Sequence, residues 1–295
     1  MSGAPKRPVS ILDLQASLSP KLSSVATVVD GKAELTVDPN RAVVVTYGEI
    51  PQDLLTRYID KHVRHVCQTD AGSLDNEINT AALMIQSPQT FLDYPIASIL
   101  KPTEANAKTN SELTKLHVPF SQAAQKNPTL DGLRDLLVKT GRPDSLISDA
   151  VLVADEMFTN AVFNAPFVNL KTGVNPGVDR NDATVHMPKG QCAELFVGHD
   201  DSRLAIVCRD NFGSLNLDQF LRRIHECYVK GITASMRLAT QGGAGIGSHM
   251  VFNISSSMYV GVCKGKTTVV GASVHWKWSN RRRSESTKNL HCFEI

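Results

Sequence analysis

The chain of 295 residues is 42% hydrophobic and 20% charged, and its formal net charge is only +2. That length and balance are typical of a soluble globular protein rather than a disordered chain, and suit one large folded domain or two small ones. A charge so close to zero supplies no electrostatic argument for nucleic acid or a membrane surface, and neither is expected as a partner.

The first 30 residues contain SILDLQASL without a periodicity that continues, which leaves a short helix and a flexible arm both open. RAVVVTYG at 41–48 reads as a buried strand, and IPQDLLTRYIDKHVRHVC at 50–67 places Leu54, Leu55, Tyr58, Ile59 and Val63 at helical spacing. Residues 1–105 thus read as a small α/β module of unknown role. KPTEANAKTNSE at 101–112 is polar, contains a proline and marks a domain boundary. Beyond it, TKLHVPF at 114–120 alternates like an edge strand, and LDGLRDLLVKTG at 130–141 carries a leucine stripe closed by Gly141, where a helix would stop.

A longer helix follows Arg142 and Pro143, with Asp144 or Ser145 as N-cap, and runs through SLISDAVLVADEMFTNAVFNA until Pro166 ends it. CAELFVGHDDSRLAIVCRD then sets two apolar runs around a His-Asp-Asp-Ser turn, and SSSMYVGVCKGKTTVVGASVHWKW repeats the arrangement around Lys-Gly-Lys. Two antiparallel hairpins with helices on one side give an α+β fold, a two-layer α/β sandwich over residues 112–280. Residues 281–295, which include RRRSESTKN, read as a basic C-terminal tail in solvent.

Six cysteines, Cys67, Cys192, Cys208, Cys227, Cys263 and Cys292, are scattered without a CxxC pair, so neither a zinc site nor a disulfide framework is expected. No apolar run approaches the roughly 20 residues of a membrane span, and MSGAPKRPVS lacks the apolar stretch of a secretory signal. A cytoplasmic location is expected.

Three segments hold the residues with chemical potential. Glu156 and Asn160, spaced i,i+4 in ADEMFTNAVFNAP, point the same way from adjacent turns, and their apolar neighbours Met157, Phe158, Ala161 and Val162 imply that this helix is largely buried. A buried carboxylate and amide need partners. Asp210 leaves the strand LAIVC at the point where a carboxylate can accept a hydrogen bond from a ligand amine, although an Asp-Asn turn explains the same residues. In GGAGIGSHMVFNI, glycines permit close backbone approach and the apolar run continues as a helix, whose N-terminus suits a phosphate.

In this order the three segments resemble the Bergerat-fold ATPase superfamily, which includes gyrase and histidine kinases, and they resemble its anti-sigma-factor serine/threonine kinases most. The resemblance covers residues 112–280, and RPDSLISDAVLVADEMFTNAV is similar to the N-box helix, where a glutamate precedes TNA. It implies a histidine-kinase-like ATPase fold with ATP and Mg²⁺ as cofactors. Glu156 would be the general base toward an acceptor hydroxyl, and Asn160 the Mg²⁺ ligand. Asp210 would contact the adenine amino group, Gly243, Gly245 and Gly247 would lie beneath the phosphates, and Thr268 would lie near the adenine.

The pattern departs from the family where DNFGS stands in place of Asp-x-Gly-x-Gly, which puts Phe212 and Ser214 at the glycine positions unless a shift of one brings in Gly213. Asn164 and Pro166 replace the basic residue and the helical continuation that often follow the N box. NLDQFLRRIHECYVKGITASMRLATQ occupies the place of the ATP lid, with Leu217, Phe220, Leu221, Ile224 and Tyr228 as an apolar stripe. Lys230 and Arg237 are its candidate phosphate cations, whereas Arg222 and Arg223 read as a solvated face. His62 and His65 read as surface residues.

The resulting expectation is an ATP-dependent serine/threonine protein kinase that phosphorylates or sequesters a small regulatory partner, anti-anti-sigma-like or sigma-like. A homodimer is left open. The alternative is a degenerate ATPase fold acting as a partner-switching scaffold, which Phe212 and Ser214 favour. The catalytic half of a histidine kinase ranks below both, because no helix carries an acceptor histidine.

Overall fold

The computed structural model describes residues 27–30, 42–46, 62–68, 74–103, 105, 111–169, 177–230, 246–286 and 288–295. Its centre is a strand, Arg203–Asp210, in which every residue from Leu204 to Cys208 is apolar and buried. Such an uninterrupted run is stable as a strand only where both faces of its sheet are covered. Leu204, Ile206 and Cys208 face one core, while Ala205 and Val207 face another.

Among the described residues, nine strands form one mixed sheet: β1 (Thr27–Asp30), β2 (Ala42–Thr46), β3 (His65–Gln68), β4 (Thr114–Phe120), β5 (Ala193–His199), β6 (Arg203–Asp210), β7 (Ser257–Cys263), β8 (Thr267–His275) and β9 (Asn289–Glu294). Their order across the sheet is β1-β2-β3-β9-β7-β8-β6-β5-β4. The strands β1 to β3 run parallel to one another, β9 is parallel to β7, and the remaining pairs are antiparallel. Both expected hairpins are present, as β5–β6 and β7–β8, and Thr114–Phe120 is the edge strand that its alternation indicated.

The first face is covered by α4 (Lys126–Lys139), α5 (Asp144–Phe163), α6 (Leu217–Lys230) and α7 (Ile246–Ile254). The second is covered by α1 (Leu74–Gln86), α2 (Pro88–Asp93) and α3 (Pro95–Leu100), and α8 (Asn280–Glu285) precedes the last strand. The fold is therefore α+β with a mixed sheet, but the layers number three. The uninterrupted apolar runs of β6 and β7 reflect this second cover, whereas the sequence reading assigned helices to one side only.

The described residues before 105 continue the same sheet and share its second core: Phe91, Ile96 and Ile99 pack with Val207, Tyr259 and Phe293. Buried polar groups reinforce the junction. Glu77 of α1, 3% exposed, accepts hydrogen bonds from Ser257 Oγ at 2.9 Å and Tyr259 Oη at 2.9 Å, lies 3.1 Å from His291 Nε2 and 3.8 Å from Arg203 Nη1. These partners hold its carboxyl below the ordinary range despite complete burial.

Three local expectations are corrected. The segment expected as a solvent tail at 281–295 contributes α8 and then β9, which pairs β3 on one side and β7 on the other; Leu290, His291, Cys292 and Phe293 are buried because both neighbours need a strand between them. The helix expected at 50–67 falls mostly outside the described residues, but its end is the strand His65–Gln68, and His65 is 1% exposed with its ring against His291 rather than on the surface. The long helix is capped by Pro143, whose carbonyl accepts the Leu146 and Ile147 amides, so Asp144 lies inside the first turn, where its charge favours the helix N-terminus. Among the described residues no helix is long and apolar enough to cross a membrane.

Candidate functional site

The helix α5 crosses the first face of the sheet and packs against β6 and α7. Val153, Met157, Phe158, Ala161 and Val162 are buried beneath it, which turns Glu156, Asn160 and Asn164 onto a half-buried strip at spacings of four. The strip is linked by hydrogen bonds: Asn160 Nδ2 donates to Glu156 Oε1 at 2.8 Å, and Asn164 Nδ2 donates to Asn160 Oδ1 at 2.5 Å. Burial raises the Glu156 carboxyl above its ordinary range, a rise opposed by the Asn160 bond and by the charges of Arg180 and Lys126.

Glu156 faces the first turn of α7. A β-carbon on Gly247 would overlap the Glu156 carboxyl group, so the carboxylate can hold this position only because residue 247 has no side chain. The carboxylate is thereby held at a helix N-terminus, where aligned peptide dipoles favour negative charge. The glycine segment expected beneath the phosphates is in part beyond view: Gly243 and Gly245, and the lid cation Arg237, lie outside the described residues. Of Lys230 only the backbone, at the end of α6, is described.

Asp210 ends β6 on the same sheet face and stands opposite Thr268 in the β6–β8 ladder. The two residues are 8% and 3% exposed. Burial pushes the Asp210 carboxyl up to about 6, even though the Phe212 and Gly213 amides donate to it, the former at 2.9 Å. The Thr268 hydroxyl also opposes the rise, without the geometry of a full hydrogen bond.

The DNFGS departure has a local explanation. Phe212 packs partly buried on the main core, and Gly213 takes the left-handed conformation with φ 56°. Its carbonyl accepts the Gly265 amide at 3.0 Å, and a side chain there would collide with the Cys263 carbonyl and the Lys266 amide of the β7–β8 turn. Ser214 Oγ donates to the Ala165 carbonyl at 2.9 Å, which ties this loop to the end of α5. The glycine demanded by the turn therefore stands at position 213, where the β7–β8 turn needs it, rather than at 212.

In the segment read as a lid, Leu217, Phe220, Leu221 and Ile224 belong to the main core, and α6 packs on α7. Lys126 and Arg180, whose charges reach Glu156, carried no sequence signal: neither shares a helix with it, and only packing of α4 and the 177–187 segment brings them near. Among the described residues, no three His, Cys, Asp or Glu side chains converge as a metal site. The hard oxygens of Glu156 and Asn160 suit Mg²⁺ only if phosphate oxygens and water complete its shell, and the second lone pair of Asn160 Oδ1 remains for that purpose.

No protein-family model matches the chain, and no curated protein matches it. The arrangement itself joins a carboxylate with a raised pKa, an amide oxygen, a helix N-terminus and a buried Asp–Thr pair on one face of a sheet. A base, a hard-metal ligand, an anion site and an acceptor for an amine are the roles open to these four features.

Proposed function

We propose that the chain is an ATP-binding regulatory protein of the histidine-kinase-like ATPase type, a serine/threonine protein kinase acting on a small partner protein in the cytoplasm. The observation that carries this reading is the contact of Glu156 with Gly247 on the sheet face that also bears Asp210 and Thr268. In that reading the Asp210 carboxylate accepts the adenine amino group beside Thr268, and Asn160 contributes one oxygen to Mg²⁺. Phosphates are favoured at the N-terminus of α7. Glu156 accepts the proton of the acceptor hydroxyl, a role that its partial burial and raised pKa support.

Thermal unfolding with nucleotide tests it. A ligand at about 100 times its Kd stabilises the folded state by about 2.7 kcal/mol, which moves the midpoint of a protein of this size by several degrees. ATP with Mg²⁺ is expected to do so, and an unmoved midpoint at millimolar ATP contradicts the proposal.

A second reading, a scaffold that switches partners without catalysis, is favoured by the closed bonding of the same residues. Asp210 accepts amides of its own loop, Ser214 is tied to Ala165, and Asn160 is held between Glu156 and Asn164. It predicts no nucleotide effect.

A further inference from the structure

Beside the strip of Glu156, Asn160 and Asn164, one residue back at each turn, α5 presents Asp155, Thr159 and Phe163. At Phe163 this second strip borders an open cleft of about 380 Å³, whose wall includes Ala124 and Lys126 near the start of α4 together with Arg180, Asn181 and Asp182. Lys126 Nζ lies 2.5 Å from Asp155 Oδ1 and 3.4 Å from Thr159 Oγ1, so α5 itself holds this cation at the cleft. The Asp182 carboxylate accepts the Thr184 amide at 2.8 Å and its hydroxyl at 2.6 Å. Arg180 has no hydrogen bond or ion pair among the described residues, although its charge acts on the Glu156 carboxylate.

A guanidinium whose donors are unengaged among the described residues, in the wall of a concave site, offers a planar fork that matches a carboxylate or phosphate in bidentate fashion. The exposed methyl groups of Ala124 and Ala183 add apolar surface and Asn181 an amide, which suit a polypeptide better than a bare ion. The cleft borders the strip of α5 next to the one that carries Glu156, so an occupant of the cleft lies beside the helix face that bears this carboxylate.

We propose that this cleft is the acceptor subsite, and that it takes a polypeptide segment whose serine or threonine is flanked by acidic residues, one flanking carboxylate pairing with Arg180. This rests on the kinase reading, because the acceptor needs a phosphoryl donor. In the step it serves, the acceptor oxygen bonds to the γ-phosphorus of ATP while its proton passes to Glu156. The bond from that phosphorus to the bridging oxygen breaks, ADP departs, and Glu156 returns the proton to solvent.

The test titrates the full-length protein calorimetrically, at low ionic strength, with acetyl-Glu-Glu-Ser-Glu-Glu-amide, with its Lys-Lys-Ser-Lys-Lys counterpart, and separately with Mg-ATP. The acidic peptide is expected to bind at least about tenfold more tightly than the basic one. Arg180→Glu is expected to lower acidic-peptide affinity by about tenfold or more, and Ala124→Trp, which fills the cleft without changing charge, to do the same. Mg-ATP affinity is expected to be unchanged in both. Equal peptide affinity in wild type and both variants, or no preference for the acidic peptide, overturns the subsite. A parallel loss of Mg-ATP affinity in Arg180→Glu also overturns it, since Arg180 would then serve the nucleotide. Acidic-peptide binding that depends on Arg180 in a protein unable to bind Mg-ATP sustains the anion-binding cleft and overturns the kinase reading instead.

Discussion

The carboxylate of Glu156 rests against the backbone of Gly247, so closely that a methyl group on the glycine would occupy the same space. Two elements distant in the chain are thereby joined at one point: the helix α5, which carries the candidate base, and the N-terminus of α7, where an anion is favoured. Base and anion site are contiguous because no side chain stands between them.

Gly247→Ala should separate function from stability. Alanine in place of glycine favours a helix by about 1 kcal/mol, and the overlapped atoms lie at the end of a rotatable side chain, so the fold should persist. The Glu156 carboxylate is displaced, and phosphoryl transfer is expected to fall by about tenfold or more while the thermal midpoint holds or rises. An unchanged transfer rate would show that the contact has no catalytic consequence.

Glu156→Gln keeps the size and the hydrogen bond of the side chain and removes its basicity. Nucleotide affinity should remain, and transfer should fall by about 10²–10⁴. Measuring both in one preparation checks this; equal transfer rates in variant and wild type remove Glu156 from the base role.

Asn160→Ala deletes the oxygen assigned to Mg²⁺ along with two hydrogen bonds on a half-buried surface. The fold should survive, with circular dichroism unchanged, while ATP affinity loses its dependence on Mg²⁺. Retained metal dependence would assign the ion to other residues.

Much of this site was legible because helical spacing alone sets Glu156, Asn160 and Asn164 on one strip, and the end of an apolar strand run marks Asp210. The shift of glycine to Gly213 was not, since the demand for a positive φ comes from the β7–β8 turn, distant in sequence. Lys126 and Arg180 were hidden for the same reason. In the fold, period-two patterns found both hairpins, but the place of β9 was lost in a charged segment whose last strand is buried by neighbours from either half of the chain.

Asp210 should leave a signature in stability against pH. Its carboxyl sits at about 6 rather than the ordinary 3.8, so the folded protein keeps a proton that the unfolded chain releases. This group's contribution therefore falls as pH rises from about 4 to about 6 and is level above, by about 3 kcal/mol for a shift of about two units. Asp210→Asn removes the descent, and urea unfolding of the two proteins across pH 4–7 should show the variant gaining on wild type over that window. A difference independent of pH contradicts the assignment.

Glu77→Ala tests whether the two halves of the chain fold as one. Losing this buried carboxylate removes an acid beside Arg203 and the hydrogen-bond partner of His291 Nε2, and a broken buried ion pair costs about 3–5 kcal/mol. Both tryptophans, Trp276 and Trp278, lie in the C-terminal half, far along the chain from residue 77. Their fluorescence transition in urea should shift to lower denaturant with the circular dichroism transition. A tryptophan transition left in place would mean that the N-terminal helices unfold separately.

The most direct measurement is calorimetric titration of the full-length protein with ATP, with and without Mg²⁺. Saturable binding that tightens with the metal is predicted from Asp210, Asn160 and the α7 N-terminus acting on one ligand. No heat of binding at millimolar ATP in either condition would contradict the account and leave the scaffold reading in its place.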